Sequence, residues 1–230
     1  MLSYFCHLIR QKLHQIIETE DGSNTLYVPG LNEHYHSVHG AVQESEHIFI
    51  NCGFRFLKAE TARIFEAGLG TGLNALLTAV EASTGSKMVS YTSAEKYPLG
   101  SEITGKLNYS LFAGNEGSVL YNAIHSAEWN REVEICKNFS LKKLRMDLTS
   151  DQVLGSYNII YFDAFGPDKQ PEMWTKAVFE KISSVTETGG ILVTYSAKGE
   201  VKRTLQACGF EVFLLPGPPG KRQIIRAIKI

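Results

Sequence analysis

The sequence predicts an α/β fold: a parallel sheet covered by helices on both faces, with an antiparallel hairpin at one end. Three observations predict it. Short apolar runs alternate with helix-periodic stretches from residue 62 onward. A glycine turn, GLGTG at 68–72, joins the first such run to the first such helix. Residues 210–230 read as two apolar runs around a tip rich in Pro and Gly.

The elements follow in order. LHQIIETE and NTLYVP flank Asp21-Gly22, a pair suited to a tight turn, so residues 13–28 read as a hairpin. The histidine-rich stretch that follows ends in a helix with Val42, Ile48 and Phe49 facing inward. ARIFEAG (62–68) is a strand, LNALLTAVEAS (73–83) a helix and KMVSYTSAE (87–95) a strand. Residues 98–129 read as mostly helical, broken at Gly105, Gly114 and Gly117, and 131–147 as two short strands. YNIIYFDAF (157–165) is a buried strand. PEMWTKAVFEKISSVT (171–186) is a helix opened by proline, where a missing N–H costs nothing. GGILVTYSA (189–197) is a strand, 198–210 a helix stopped by Gly209, and 210–230 the closing hairpin. This order resembles that of the class I methyltransferase fold, a Rossmann-like sheet, and residues 1–57 are expected to form a hairpin/helix extension packed on a core of 58–230. Dehydrogenases usually end differently.

Composition sets the bounds. The chain has 230 residues, 43% hydrophobic and 20% charged, enough for a full core. Its formal net charge is −1, so contact with nucleic acid requires a local basic patch. From Lys198 to Ile230 there are seven Lys or Arg and two acids, a candidate patch that would also suit a solvated surface. The cysteines at 6, 52, 136 and 208 are far apart and read as free, mostly buried thiols of a cytoplasmic protein. The amino-terminal stretch lacks the pattern of a signal peptide, and no run is long enough to span a membrane.

The chemistry gathers at three places. Gly68, Gly70 and Gly72 let the backbone turn sharply between strand and helix and let a ligand approach. Without a ligand they would be a plain strand-to-helix turn. Glu95, at the end of the second strand, suits the two hydroxyls of a ribose; otherwise it is a surface acid beside Lys96. Together they point to a nucleoside-bearing cofactor. A nicotinamide dinucleotide would favour a third glycine where Leu73 stands. The acidic turn of Glu66, Gly68 and Gly70 suits the cationic amino-acid end of S-adenosylmethionine. Asp147 has two readings: a partner for the adenine amino group, or a cap for the residues after it.

Asp163 ends the strand 157–163, beside the cofactor crevice, and enters a loop stiffened by Pro167 and Pro171. Phe165 and Trp174 offer flat apolar surfaces for a base. A carboxylate there can orient an amine and accept its proton. In the structural alternative Asp163 caps the next turn and the aromatics belong to the core.

GLGTGLN (68–74), SAEKYPL (93–99), DAFGPDKQPEMW (163–174) and GGILVTYSAKGEVKRTLQACGF (189–210) resemble the methyltransferases that complete 5-methylaminomethyl-2-thiouridine at the tRNA wobble position. The resemblance is to their stand-alone form, which matches the amino-terminal domain of the bifunctional MnmC enzymes, and it covers the chain from about residue 16 onward. It implies methyl transfer from S-adenosylmethionine to the amine of 5-aminomethyl-2-thiouridine. By motif, Gly68, Gly70 and Gly72 would hold the methionine end, Asn74 would support the turn, Glu95 would take the ribose and Asp163 the reaction centre. The loop from Phe165 through Pro167 and Lys169 to Trp174, with Tyr195, Ser196 and Ala197, would line the base pocket. Lys198, Lys202, Arg203, Lys221 and Arg222 would meet phosphates. Gly166 departs from the alanine expected there. A flavin-dependent oxidase domain is not expected within these residues, so a separate oxidase or another route would supply the aminomethyl base.

His34, His36 and His39 are metal-ligand types, but no cysteine or paired carboxylate completes a set, so no metal is expected. The segment is expected to pack over the site instead. Three other functions fit parts of the pattern: a methyltransferase of small-molecule amines, a nicotinamide-dependent oxidoreductase and a non-catalytic RNA-binding module.

Overall fold

Alternating apolar patterns become alternating elements. The structure, a computed structural model, describes residues 14–230. Cys6, most of the stretch read for a signal peptide, and the first residue of the predicted hairpin lie outside the described residues.

Strands β1 (Gln15–Glu18) and β2 (Asn24–Val28) pair antiparallel across the Asp21-Gly22 turn. A third short strand, β3 (Glu33–His34), which the sequence reading did not include, pairs with β2. Helix α1 (Ala41–Ser45) runs directly into a π-helical stretch, Glu46–Phe54, and Val42, Ile48 and Phe49 are buried as expected.

The main sheet holds β4 (Thr61–Ala67), β5 (Met88–Glu95), β6 (Glu132–Cys136), β7 (Phe139–Arg145), β8 (Tyr157–Phe162), β9 (Thr186–Thr194), β10 (Phe210–Pro216) and β11 (Gln223–Lys229). Its order is β10-β11-β9-β8-β4-β5-β7-β6. The five central strands are parallel; β6 and β11 run antiparallel to their inner neighbours. The sequence order reverses between β4 and β8, and that junction is where ligands bind in sheets of this kind.

Strand alternation divides the core. Ile159 and Tyr161 of β8 face one cluster, with the π-helical stretch, α2 (Leu73–Thr84) and α4 (Gly117–Ser126). Ile160 and Phe162 face the other, with α5 (Lys176–Val185) and α6 (Gly199–Ala207). Every residue of β8 is buried, the mark of a central strand. Gly53 allows the π-helical stretch its close approach, since a Cβ there would lie 3.1 Å from Val193 and 3.2 Å from Tyr161. Residues 41–57 thus share one core with the sheet.

Two local readings need correction. Residues 171–186 are not one helix: Pro171–Trp174 form a 3-10 turn, Thr175 is extended, and its side chain caps α5 by accepting from the Val178 N–H at 3.4 Å. Residues 98–129 hold only short helical pieces, α3 (Ser101–Thr104), a 3-10 turn at Tyr109–Phe112 and α4. Of the described cysteines only Cys208 is buried; Cys52 and Cys136 are half-buried.

The tip of the β10–β11 hairpin docks on the amino-terminal segment. The His47 imidazole Nε2 lies 2.9 Å from the Pro216 carbonyl oxygen. Gly220, at φ +81°, lies so close to the His39 ring that a Cβ would collide with it. Among the described residues no helix is long and apolar enough to cross a membrane.

Candidate active site

The carboxyl ends of β4, β5, β7, β8 and β9 open into one cavity of about 1130 Å³. Its size suits a nucleoside-bearing cofactor together with a second ring. The segment 33–37 and the hairpin tip form the opposite wall.

The glycine turn leaves β4 beside Asp163. Gly68 adopts φ +95°, and a Cβ there would sit 2.9 Å from the Asp163 backbone oxygen. Gly68 N–H donates to the Ala94 carbonyl at 2.9 Å and Asp163 N–H to the Ala67 carbonyl at 3.1 Å, so both residues continue the sheet. Gly70 adopts φ +52° under the Tyr35 ring. Glu95 accepts from the Gly70 N–H at 3.0 Å and the Tyr97 N–H at 2.7 Å, which fixes the acid against the turn. Burial raises its pKa and these bonds oppose the rise.

Asn74, on the first turn of α2, donates through Nδ2 to Asp163 Oδ2 at 2.7 Å and Glu66 Oε1 at 3.1 Å. Its own Oδ1 is buried with no protein partner. Asp163 faces the cavity from its inner end, and burial pushes its carboxyl up to about 7. Asn74 and Lys221 pull that value down; Glu44 pushes it up. The loop after Asp163 is pinned by its backbone: Tyr195 Oη donates to the Ala164 carbonyl at 2.8 Å and Trp174 Nε1 to the Phe165 carbonyl at 2.7 Å. Phe165 packs edge-on against Tyr35, ring centres 4.9 Å apart.

The site thus brings together Gly68, Gly70, Asn74, Glu95, Asp147 and Asp163, with Phe165, Pro167, Lys169, Tyr195, Ser196, Lys198, Lys221 and Arg222 around the opening. Five expected residues stand elsewhere. Glu66 does not face the cavity: it is wholly buried below it, and burial pushes its carboxyl up to about 8. Burial favours its neutral form, Ser93 Oγ bonds it at 2.6 Å, and it stands off the cavity wall where the anionic partner of the turn was expected. Gly72, at φ +76°, is the residue before α2 and packs under His125. Trp174 is 7% exposed and packs on Phe162, so its face is not open to a base. Lys202 and Arg203 lie on α6, off the cavity wall.

Of the two readings of Asp147, the structure shows the cap. Asp147 lines the cavity and also caps its turn, accepting from the Thr149 N–H at 3.0 Å. Burial would raise its pKa, but Lys96 at 2.6 Å and Thr149 hold it below the usual carboxylate range. Lys198 pairs with Asp168. A Cβ on Gly166 would meet only Tyr195 Oη, at 3.5 Å, so alanine would fit. His36 Nε2 lies 2.8 Å from Thr71 Oγ1, and His39 Nδ1 2.9 Å from Glu20. Among the described residues no cluster of three or more His, Cys, Asp or Glu is arranged to hold a metal. Sequence reading missed Tyr35 and Glu44, which line the cavity from the amino-terminal segment. The histidine-rich motif around Tyr35 was the only signal for that segment.

A family profile described as S-adenosyl-L-methionine-dependent methyltransferase matches residues 119–230. The tRNA 5-methylaminomethyl-2-thiouridine biosynthesis bifunctional protein MnmC of Campylobacter hominis is 30% identical over 209 residues, which cover 88% of this chain and 31% of that protein. MnmC of Magnetococcus marinus is 29% identical over 224 residues, covering 89% and 32%. The chain thus spans about a third of the length of the curated relatives it matches. The crystal structure of MNMC2 from Aquifex aeolicus superposes with a TM-score of 0.76 at 26% identity, covering 94% of this chain and 69% of that one. Spermidine synthase from Thermotoga maritima, at TM-score 0.54 and 11% identity over 90% of this chain and 68% of that one, shares the fold. Residues 119–230 thus match the S-adenosyl-L-methionine-dependent methyltransferase family, and most of the chain is similar in sequence to MnmC and in fold to MNMC2.

Proposed function

We propose that the protein methylates the primary amine of 5-aminomethyl-2-thiouridine at the tRNA wobble position, in the cytoplasm, with residues 58–230 as its methyltransferase domain. The observation that carries this reading is Asp163. It is a carboxyl with a pKa near 7 at the inner end of a nucleoside-sized cavity, fixed by Asn74 beside the glycine turn. The tRNA modification named for the relatives supports the choice of amine.

The residues present fit S-adenosylmethionine. Glu95 would take the ribose, the backbone at Gly68 and Gly70 the amino-acid end, and Asp147 the adenine. The buried, unpartnered Asn74 Oδ1 is an acceptor without a donor in the protein, as a ligand ammonium would require. When bound, the cofactor supplies an electrophilic methyl on a sulfonium. Asp163 would receive one proton from the substrate ammonium, leaving the nitrogen lone pair free where the methyl would be supplied. Asn74 holds the carboxylate in place for that transfer, and alignment supplies most of the acceleration. Phe165, Pro167 and Tyr195 would frame the base. Lys169, Lys198, Lys221 and Arg222 at the rim, with Lys202 and Arg203 beyond, would meet phosphates. A separate flavin-dependent oxidase is one source of the free amine. The nicotinamide-dependent reading gives way to the family assignment.

The test is methyl transfer from labelled cofactor to tRNA carrying 5-aminomethyl-2-thiouridine, followed by nucleoside analysis. Label in 5-methylaminomethyl-2-thiouridine supports the reading. Cofactor binding without transfer to that tRNA, but with transfer to a small amine, overturns it.

A further inference from the structure

Another carboxylate lines the cavity, on the wall contributed by the amino-terminal segment. Glu44, on α1, is 7% exposed and lines the cavity wall. Its Oε2 accepts from the Ser37 N–H at 2.8 Å. Its Oε1 is buried and makes no hydrogen bond. Lys221 Nζ, from the hairpin tip, lies 3.1 Å from that oxygen but outside hydrogen-bond geometry, and 5.0 Å from the centre of the Tyr195 ring. Glu44, Lys221 and Asp163 line the same cavity, and Glu44 raises the Asp163 pKa while Lys221 lowers it.

We propose that Glu44 Oε1 is the recognition point for the cationic amine of the substrate, held in the free protein by the ammonium of Lys221. This rests on the reading of the substrate given above. A buried carboxylate is costly unless a cation faces it. Lysine on a flexible stem can vacate the position, whereas the oxygen cannot. Exchange of one ammonium for another keeps Glu44 paired throughout, so an amine-bearing base enters without stranding a charge. A base without the amine gains nothing from displacing Lys221. Glu44 therefore selects the modified base, while Asp163 takes its proton. The Tyr195 ring beside Lys221 offers a further surface favourable to a cation.

The experiment measures binding of two tRNAs that differ only at the wobble base, one with 5-aminomethyl-2-thiouridine and one with 2-thiouridine, in the presence of S-adenosylhomocysteine. The quantity read is the ratio of their affinities. A charge-assisted hydrogen bond corresponds to about a tenfold preference or more for the amine. Glu44→Gln keeps an acceptor for Ser37 and should reduce the ratio to near one, with the 2-thiouridine tRNA bound as before. Lys221→Met removes the competing cation and should raise the ratio, even where overall tRNA affinity falls. If Glu44→Gln does not fold, as judged by lost S-adenosylhomocysteine binding, Lys221→Met still decides: an unchanged or reduced ratio overturns the proposal. Full preference retained in Glu44→Gln, with the wild-type protein methylating the amine, overturns it while leaving the substrate reading intact. No preference and no methylation in the wild-type protein overturns both.

Discussion

Asn74 donates to Asp163 at 2.7 Å, tying the first turn of α2 to the end of β8 across the point where the strand order reverses. The same amide reaches Glu66, so one side chain links the carboxyl at the inner end of the cavity to the one buried below it. Asp163→Asn keeps the shape and removes the base. Methyl transfer should fall by about 10²–10⁴-fold, with S-adenosylhomocysteine and tRNA binding largely kept. Transfer at the wild-type rate would remove Asp163 from the chemistry.

The acid at the end of β5 predicts a binding effect. Glu95→Ala removes the acceptor for the Gly70 and Tyr97 N–H groups and the proposed partner of the ribose. S-adenosylhomocysteine should bind about tenfold more weakly or worse, measured by titration calorimetry. Unchanged affinity would assign the ribose to another group.

Gly68 joins backbone geometry to chemistry. Alanine there must hold φ +95° and press its Cβ to 2.9 Å from the Asp163 carbonyl oxygen. Strain of this kind costs about 1–3 kcal/mol, read as a lower urea midpoint. The catalytic rate should fall as well, because the displaced group is the backbone of Asp163. A stable, fully active Gly68→Ala would show that the turn is not under this constraint.

Glu66 predicts a pH dependence of stability. Its folded pKa is raised to about 8, above the unfolded value, so the folded state binds the extra proton between the two. Stability is therefore greatest with the acid protonated and falls as pH rises. His36 and His125, held neutral by burial at about 4, do not titrate in the folded state above neutrality. Between about pH 6.5 and 8.5 the wild-type protein should lose about 2 kcal/mol to this group, and Glu66→Gln should lose less. Equal slopes for the two proteins in urea unfolding would show that Glu66 is ionised when folded.

Much of this architecture was legible in the sequence because strand and helix periods differ and each strand end carries its functional residue. Glu95 and Asp163 could be placed from that rule alone, and both reach the cavity. Glu66 was misread because its side chain turns into the core from β4, two residues before the turn that its charge suggested. Trp174 was misread because an aromatic in a proline loop can serve as a surface or as an anchor. Its indole N–H settles the matter by bonding the Phe165 carbonyl. Glu44 was not legible at all. Its role depends on Lys221, and nothing local to either residue signals a pairing across 177 positions.

The docking of the hairpin tip on the amino-terminal segment bears on how the protein comes to work during its synthesis. The wall made by residues 33–47 leans on β2 and Thr71 from one side and on Pro216 and Gly220 from the other. A nascent chain halted near residue 200 would already contain the glycine turn, Glu95 and Asp163, yet lack one side of the cleft. Ribosome-bound intermediates of that length should bind S-adenosylhomocysteine more weakly than the full chain, because the cleft is walled on that side only once β11 has been made.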